Sequence, residues 1–113
     1  MKTRVLSGIR PTGMLHLGNY FGAVKGMIQL QDDPDRETLY MVADLHAITT
    51  PYDPRVLRAD TRSVVMSYLA AGLNPEKSTL FVQSDLAEYH AQLSFYFSSV
   101  TSVARMQHLP TYK

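Results

Sequence analysis

Apolar positions along the 113-residue chain gather into three short runs that alternate with three longer stretches of helical spacing. Arg4, Val5, Leu6 and Ser7 form the first run, which stops at Gly8. The next stretch, Gly8-Ile9-Arg10-Pro11-Thr12-Gly13, holds two glycines and a proline, which predicts an irregular loop. From about Leu17 to Leu30, the residues Tyr20, Phe21, Val24, Met27 and Ile28 recur as on one face of a helix. The second run, Thr38-Leu39-Tyr40-Met41-Val42-Ala43, is nearly continuous and predicts a strand covered on both faces. Asp53 then offers an N-cap and Pro54 a first helical position, and Gly72 is placed to end that helix. Between them Leu57, Thr61, Val64, Val65, Tyr68 and Leu69 make one stripe. The third strand is Thr79 to Val82. The third helix opens on Asp85 with Glu88 three residues on, a capping-box pattern, and runs through Leu86, Tyr89, Leu93, Tyr96, Phe97, Val100 and Val103.

Strand and helix repeated three times predict an α/β fold with a parallel sheet and right-handed crossovers. The architecture expected is a Rossmann-like, doubly wound parallel sheet of which three βα units, the first half, are present. Such sheets usually continue past the point where Lys113 ends this sequence, so residues 1–113 read as the N-terminal half of a nucleotide-binding catalytic domain.

Composition narrows the setting. Apolar residues make up 45% and charged residues 19%, the balance of a globular chain. A formal charge of +1 gives no bulk electrostatic case for nucleic acid, so such a partner has to be argued from a site. There is no cysteine, which excludes disulfides and thiolate metal sites. No apolar run approaches the roughly 20 residues of a membrane span, and the N-terminus lacks the apolar core of a signal peptide. The expectation is a soluble, cytoplasmic protein without a membrane partner.

In an open α/β sheet, ligands bind beyond the carboxyl ends of the strands. The loop from Ser7 to Asn19 lies there and leads into a helix, whose first N–H groups attract phosphate. Gly18 lets a ligand approach the backbone, and Arg10 adds a fixed positive charge. His16 and Asn19, three apart, share a face of the first turn, and both are able to donate to phosphate oxygens. A glycine-rich crossover turn with a solvated arginine has the same local pattern. The loop is neither G-x-x-x-x-G-K-[ST] nor G-x-G-x-x-G, so it is no P-loop and does not favour a dinucleotide. At the second strand end, Asp44 and His46 are two apart and would face the same side of an extended chain. Such a pair is either a carboxylate orienting an imidazole or a strand-end cap beside a half-buried histidine. No third ligand of suitable spacing accompanies it, so no metal site is assigned. At the third strand end, Asp85 reads as a helix cap and Gln83 as a candidate for the same crevice.

These residues resemble a known family. Ser7-Gly8-Ile9-Arg10-Pro11-Thr12-Gly13 followed by His16-Leu17-Gly18-Asn19-Tyr20 is similar to the first signature of tryptophanyl-tRNA synthetases, their version of the "HIGH" motif of class I synthetases. Asp44-Leu45-His46-Ala47-Ile48-Thr49 and Leu80-Phe81-Val82-Gln83-Ser84-Asp85 are similar to further blocks of that family in the same order. Pro110-Thr111-Tyr112-Lys113 resembles a variant of its lysine-bearing loop. The resemblance covers essentially the whole chain and implies activation of L-tryptophan by ATP, with Mg2+ accompanying the nucleotide, and transfer to tRNA(Trp). It implies ATP contacts at Arg10, Pro11, Thr12, Gly18, Asn19 and Lys113, with His16 and Asn19 in the catalytic motif. It implies a tryptophan pocket that includes Leu6 and His46, with Gln83 as a further candidate, and a homodimer.

Two departures stand beside the likeness. Asn19 occupies the position where the HIGH motif ends in histidine, which favours the tryptophan branch. The second class I signature, "KMSKS", and the acidic residue that reads the indole nitrogen are absent from these 113 residues, so the isolated chain is expected to activate little tryptophan. Two other functions share part of the pattern. A nucleotidylyltransferase would want histidine at position 19, and a non-catalytic synthetase-like nucleotide-binding module is compatible with the short length. Tyrosyl-tRNA synthetases differ around the proline of the first signature.

Overall fold

The computed structural model describes residues 2–110 and 112. Its centre is a parallel sheet of three strands, β1 (Thr3–Ile9), β2 (Arg36–Val42) and β3 (Thr79–Val82), in that spatial order. β1 aligns Leu6 with Leu39 and Gly8 with Met41, and β2 aligns Val42 with Val82. Between β1 and β2 one helical run holds α1 (Leu17–Asn19), a π-helical segment (Tyr20–Val24) and α2 (Lys25–Gln31). A single turn, α3 (Asp44–Ala47), and the long α4 (Pro54–Ala71) join β2 to β3. A 3-10 turn (Gln83–Leu86), α5 (Ala87–Val100) and a short α6 (Val103–Met106) follow.

Alternation along β2 sets the core. Thr38, Tyr40 and Val42 are buried while their neighbours are only partly so, as period-two side chains require. Tyr40 and Val42 pack with Val24 and Met27 from the first helical run and with Val64 and Tyr68 from α4. Both crossover helices therefore cover one and the same face. On the other face Leu6 of β1 is 61% exposed, while Leu39 and Met41 of β2 are partly buried, so among the described residues the strand expected to be covered on both sides is fully covered on one and partly on the other. Two phenols lock the covered layer. Tyr40 donates to the Met27 carbonyl at 2.9 Å and Tyr68 to the Met41 carbonyl at 3.3 Å. Burial pushes both phenols up, Tyr68 to about 12.

Several predicted boundaries hold. Asp53 caps α4 through the Arg55 N–H, Pro54 opens it, and Gly72 ends it at φ +112°. Gln31 ties the far ends together, donating to the Gly72 carbonyl and accepting from the Asn74 N–H, both at 2.9 Å. Other boundaries move. β1 runs on through Gly8 and Ile9, because parallel pairing with Met41 and Val42 satisfies the backbone that local composition assigned to a loop. A Cβ at Gly8 would lie 2.6 Å from the Met41 carbonyl oxygen, so glycine is what lets the strand pass. Asp85 does not cap the third helix. The chain leaves β3 as a 3-10 turn and α5 starts at Ala87 with no side-chain cap. That helix stops at Val100, where Thr101 turns extended, and Val103 begins a separate turn capped by Ser102. No helix among the described residues is long and apolar enough to cross a membrane.

Candidate functional site

The loop after β1 enters the first helical run through a reciprocal cap. Gly13 turns at φ +107°, a backbone state suited to glycine. His16 is then the N-cap: its Nδ1 accepts from the Gly18 N–H at 3.0 Å and the Asn19 N–H at 3.4 Å. The Asn19 side-chain oxygen accepts from the His16 N–H at 3.1 Å. Histidine and asparagine thus perform the exchange usually made by Ser or Thr with Glu or Gln. With Nδ1 accepting, the ring proton of a neutral His16 sits on Nε2, which makes no hydrogen bond among the described residues. A Cβ at Gly18 would lie 2.9 Å from the imidazole, so a larger residue there has to push the ring from its place in the cap. Position 16 was expected to share a helix face with Asn19; the structure instead makes the two side chains the cap itself.

The second strand end is not extended. The Ala43 N–H bonds to the Ile9 carbonyl at 2.9 Å, and the chain turns at once into α3. Asp44 and His46 therefore do not share a strand face, and no hydrogen bond joins their side chains among the described residues. The Asp44 Oδ1 instead accepts from the Leu45 and Ser84 N–H groups, both at 2.9 Å. Gln83 Oε1 accepts from the His46 N–H at 3.1 Å, leaving the imidazole exposed. The link from Asp44 to Ser84 has no local signal, because the two are 40 positions apart.

The site residues are distributed over separate hollows. Pro11, which is buried, and the exposed Thr12 line a 240 Å³ cleft with Ala47, Thr50 and Asp53. His16 instead lines a 660 Å³ apolar cleft with Leu15, Tyr20, Ser67 and Ala70, beside the helices. The 660 Å³ hollow is not at the strand ends, where backbone donors and the loops converge; the 240 Å³ cleft is, and so is a 590 Å³ hollow lined by Asp44, Val82, Ser84 and Asp85. Arg10 and His46 are exposed, and Leu6 lies on the open sheet face. Lys113 lies outside the described residues. Among those residues no three His, Asp or Glu side chains gather as a metal site.

A family model described as class I tRNA synthetases (W and Y) matches residues 1–113. The chain belongs to this family. Among curated members of the tryptophan branch, the tryptophan–tRNA ligase of Thermotoga maritima is 49% identical over 97% of this chain and 33% of its own length. Tryptophan–tRNA ligase 2 of Streptomyces avermitilis is 50% identical over 99% of the chain and 33% of its own length. The chain thus spans about a third of the synthetases it matches. Its fold superposes on tryptophanyl-tRNA synthetase of Campylobacter jejuni with a TM-score of 0.86 at 32% identity, over 99% of this chain and 34% of that one. A second structure of the Campylobacter jejuni synthetase, complexed with ADP and tryptophan, superposes with a TM-score of 0.82 at 33% identity, over 94% of this chain and 32% of that one. The three parallel strands are those of the first half of a synthetase's Rossmann-like fold.

Proposed function

We propose that residues 1–113 are the N-terminal half of the catalytic domain of a tryptophan–tRNA ligase and carry the first-signature wall of its ATP and tryptophan site. The cap formed by His16, Gly18 and Asn19 carries this reading, because it presents a defined donor at the start of a helical run. In the reaction, a tryptophan carboxylate oxygen attacks the α-phosphorus of ATP. An acyl–phosphate bond forms, pyrophosphate leaves with the electron pair of the broken P–O bond, and a ribose hydroxyl of tRNA(Trp) then displaces AMP. Little covalent work falls to the protein, so positioning and charge stabilisation dominate. His16 Nε2–H donates to phosphate oxygen without leaving its cap. Gly18 leaves the approach to the nucleotide free of a side chain, Asn19 completes the cap that holds the ring, and Arg10, Pro11 and Thr12 form the loop beside it, with Lys113 as a further cation. Leu6 offers an apolar wall on the open sheet face, where an indole ring finds room, and His46 stands at the next strand end. Mg2+ arrives on the phosphates of ATP, as part of the substrate.

The exposed apolar helix α5, with Phe95, Tyr96 and Phe97 all more than 60% accessible, supports a homodimer. The reading is of a cytoplasmic enzyme. Binding tests it directly. The chain contains no tryptophan, so the fluorescence of added L-tryptophan reports its own uptake, and ATP is titrated by calorimetry. His16→Ala removes cap and donor, whereas His16→Asn keeps a cap acceptor and removes only the imidazole. Both are expected to weaken ATP binding by about tenfold, on the scale of one lost charge-assisted hydrogen bond. Gly18→Val, forced against the ring, is expected to do the same. Unchanged ATP affinity in all three overturns the assignment.

A further inference from the structure

Two long-range hydrogen bonds run in opposite directions between the turn after β2 and the turn after β3. The side chain of Asp44 reaches the backbone of Ser84 at 2.9 Å, and the side chain of Gln83 reaches the backbone of His46 at 3.1 Å. Each turn holds the other's backbone N–H, a donor that a four-residue helical turn cannot satisfy itself. Neither turn has much packing of its own. α3 buries only Ala47, and the 3-10 turn buries no residue. Asp44 is anchored further by its second contact, with the Leu45 N–H. The rest of the turn is held by its neighbours in sequence, the Thr49 hydroxyl donating to the His46 carbonyl at 2.8 Å and the Ala47 N–H to the Ala43 carbonyl at 3.1 Å. The crossed pair is what ties the turn bearing the exposed imidazole of His46 to the end of β3, and one of its bonds is to a carboxylate, the stronger kind.

We infer that Asp44 and Gln83 are positioning residues for the tryptophan side of the site: they set where His46 stands and touch no substrate themselves. Gln83, which the sequence suggested as a pocket residue, has its acceptor engaged by the backbone. Asp44 is likewise a brace and not the carboxylate of a catalytic pair. This role rests on the reading of His46 as a tryptophan-pocket residue.

Asp44→Ala and Gln83→Leu delete the acceptors, whereas Asp44→Asn and Gln83→Glu keep an oxygen at the same place. Hydrogen exchange at the His46 and Ser84 amides tests the brace with no ligand present, and L-tryptophan and ATP titrations test its consequence. In Asp44→Ala, faster exchange at Ser84 is expected, and in Gln83→Leu at His46. Tryptophan affinity is expected to fall by about tenfold or more, the scale of a misplaced site group, with ATP affinity unchanged and with recovery in Asp44→Asn and Gln83→Glu. Loss of ATP and tryptophan binding together, no recovery in the conservative variants, or full tryptophan affinity despite freed amides overturns the positioning role. A wild-type chain with protected amides that takes up no tryptophan sinks the reading of the site, and the positioning role with it, while the brace itself stands.

Discussion

Glycine does three different jobs in this chain, and substitution should separate them. At Gly8 the obstacle is a neighbour: a Cβ meets the Met41 carbonyl in the middle of a strand pair. At Gly72 it is the backbone, at φ +112°, although the space around it is open to 3.9 Å. At Gly26, inside α2, nothing lies within 4 Å and φ is not positive. Urea denaturation should therefore rank the alanine variants in opposite senses. Gly26→Ala gains up to about 1 kcal/mol from helix propensity. Gly72→Ala loses on the order of 1 kcal/mol from left-handed strain, and Gly8→Ala loses more because two strands have to part. A Gly8→Ala variant as stable as wild type would contradict the close approach. Of the three, only Gly72 was legible as a structural glycine from its place after an amphipathic stripe. Gly8 looked like loop punctuation, because its constraint comes from a residue 33 positions away in register.

Elements that organise themselves locally were readable, and those held from afar were not. α4 matches the sequence pattern to the residue, since cap, first-turn proline, apolar stripe and C-terminal glycine all act within the segment. β3 matches too, although its pairing with β2 is long-range, because its short apolar run is bounded on both sides by polar residues. The cap can be tested by pH. The Arg55 side chain, and then its backbone N–H, hold the Asp53 carboxyl below its usual range. A lowered carboxyl contributes stability above its unfolded value of about 4 and loses it as pH falls through the lower folded value. Asp53→Ala should lower the thermal midpoint at neutral pH, and the difference from wild type should shrink in acid. A gap that stays constant with pH would mean that the carboxylate is not the cap. By contrast, α3, the 3-10 turn and the π segment had no sequence signal of the right kind. Asp44 and Gln83 shape the first two through partners about 40 positions away. The π segment keeps Val24 and Met27 on the core side, so apolar spacing alone reads it as ordinary helix. The candidate site follows the same division. The loop and its glycines were visible, whereas the His16–Asn19 cap, made with unusual residue types, was not.

At the scale of the molecule, the layer beneath the sheet responds to base as well as to acid. Tyr68 is raised to about 12, so its contribution is complete below the unfolded value of about 10 and is lost as pH climbs toward 12. Denaturation midpoints compared at neutral and strongly alkaline pH should fall less for Tyr68→Phe than for wild type; an equal fall would place the alkaline loss elsewhere. The radius of gyration is 16.0 Å, against about 13 Å for a compact domain of this length, and the outlying α5 keeps its aromatic residues exposed. Since the 113 residues contain no KMSKS sequence, pyrophosphate exchange by this chain alone should stay near background; substantial turnover would show that the first-signature wall suffices. The strand order carries a consequence for biosynthesis. Because β1, β2 and β3 are neighbours in space in the order in which they are made, each strand emerging from a ribosome finds its partner already waiting. The sheet is built to grow vectorially, without a long-range search for a distant strand.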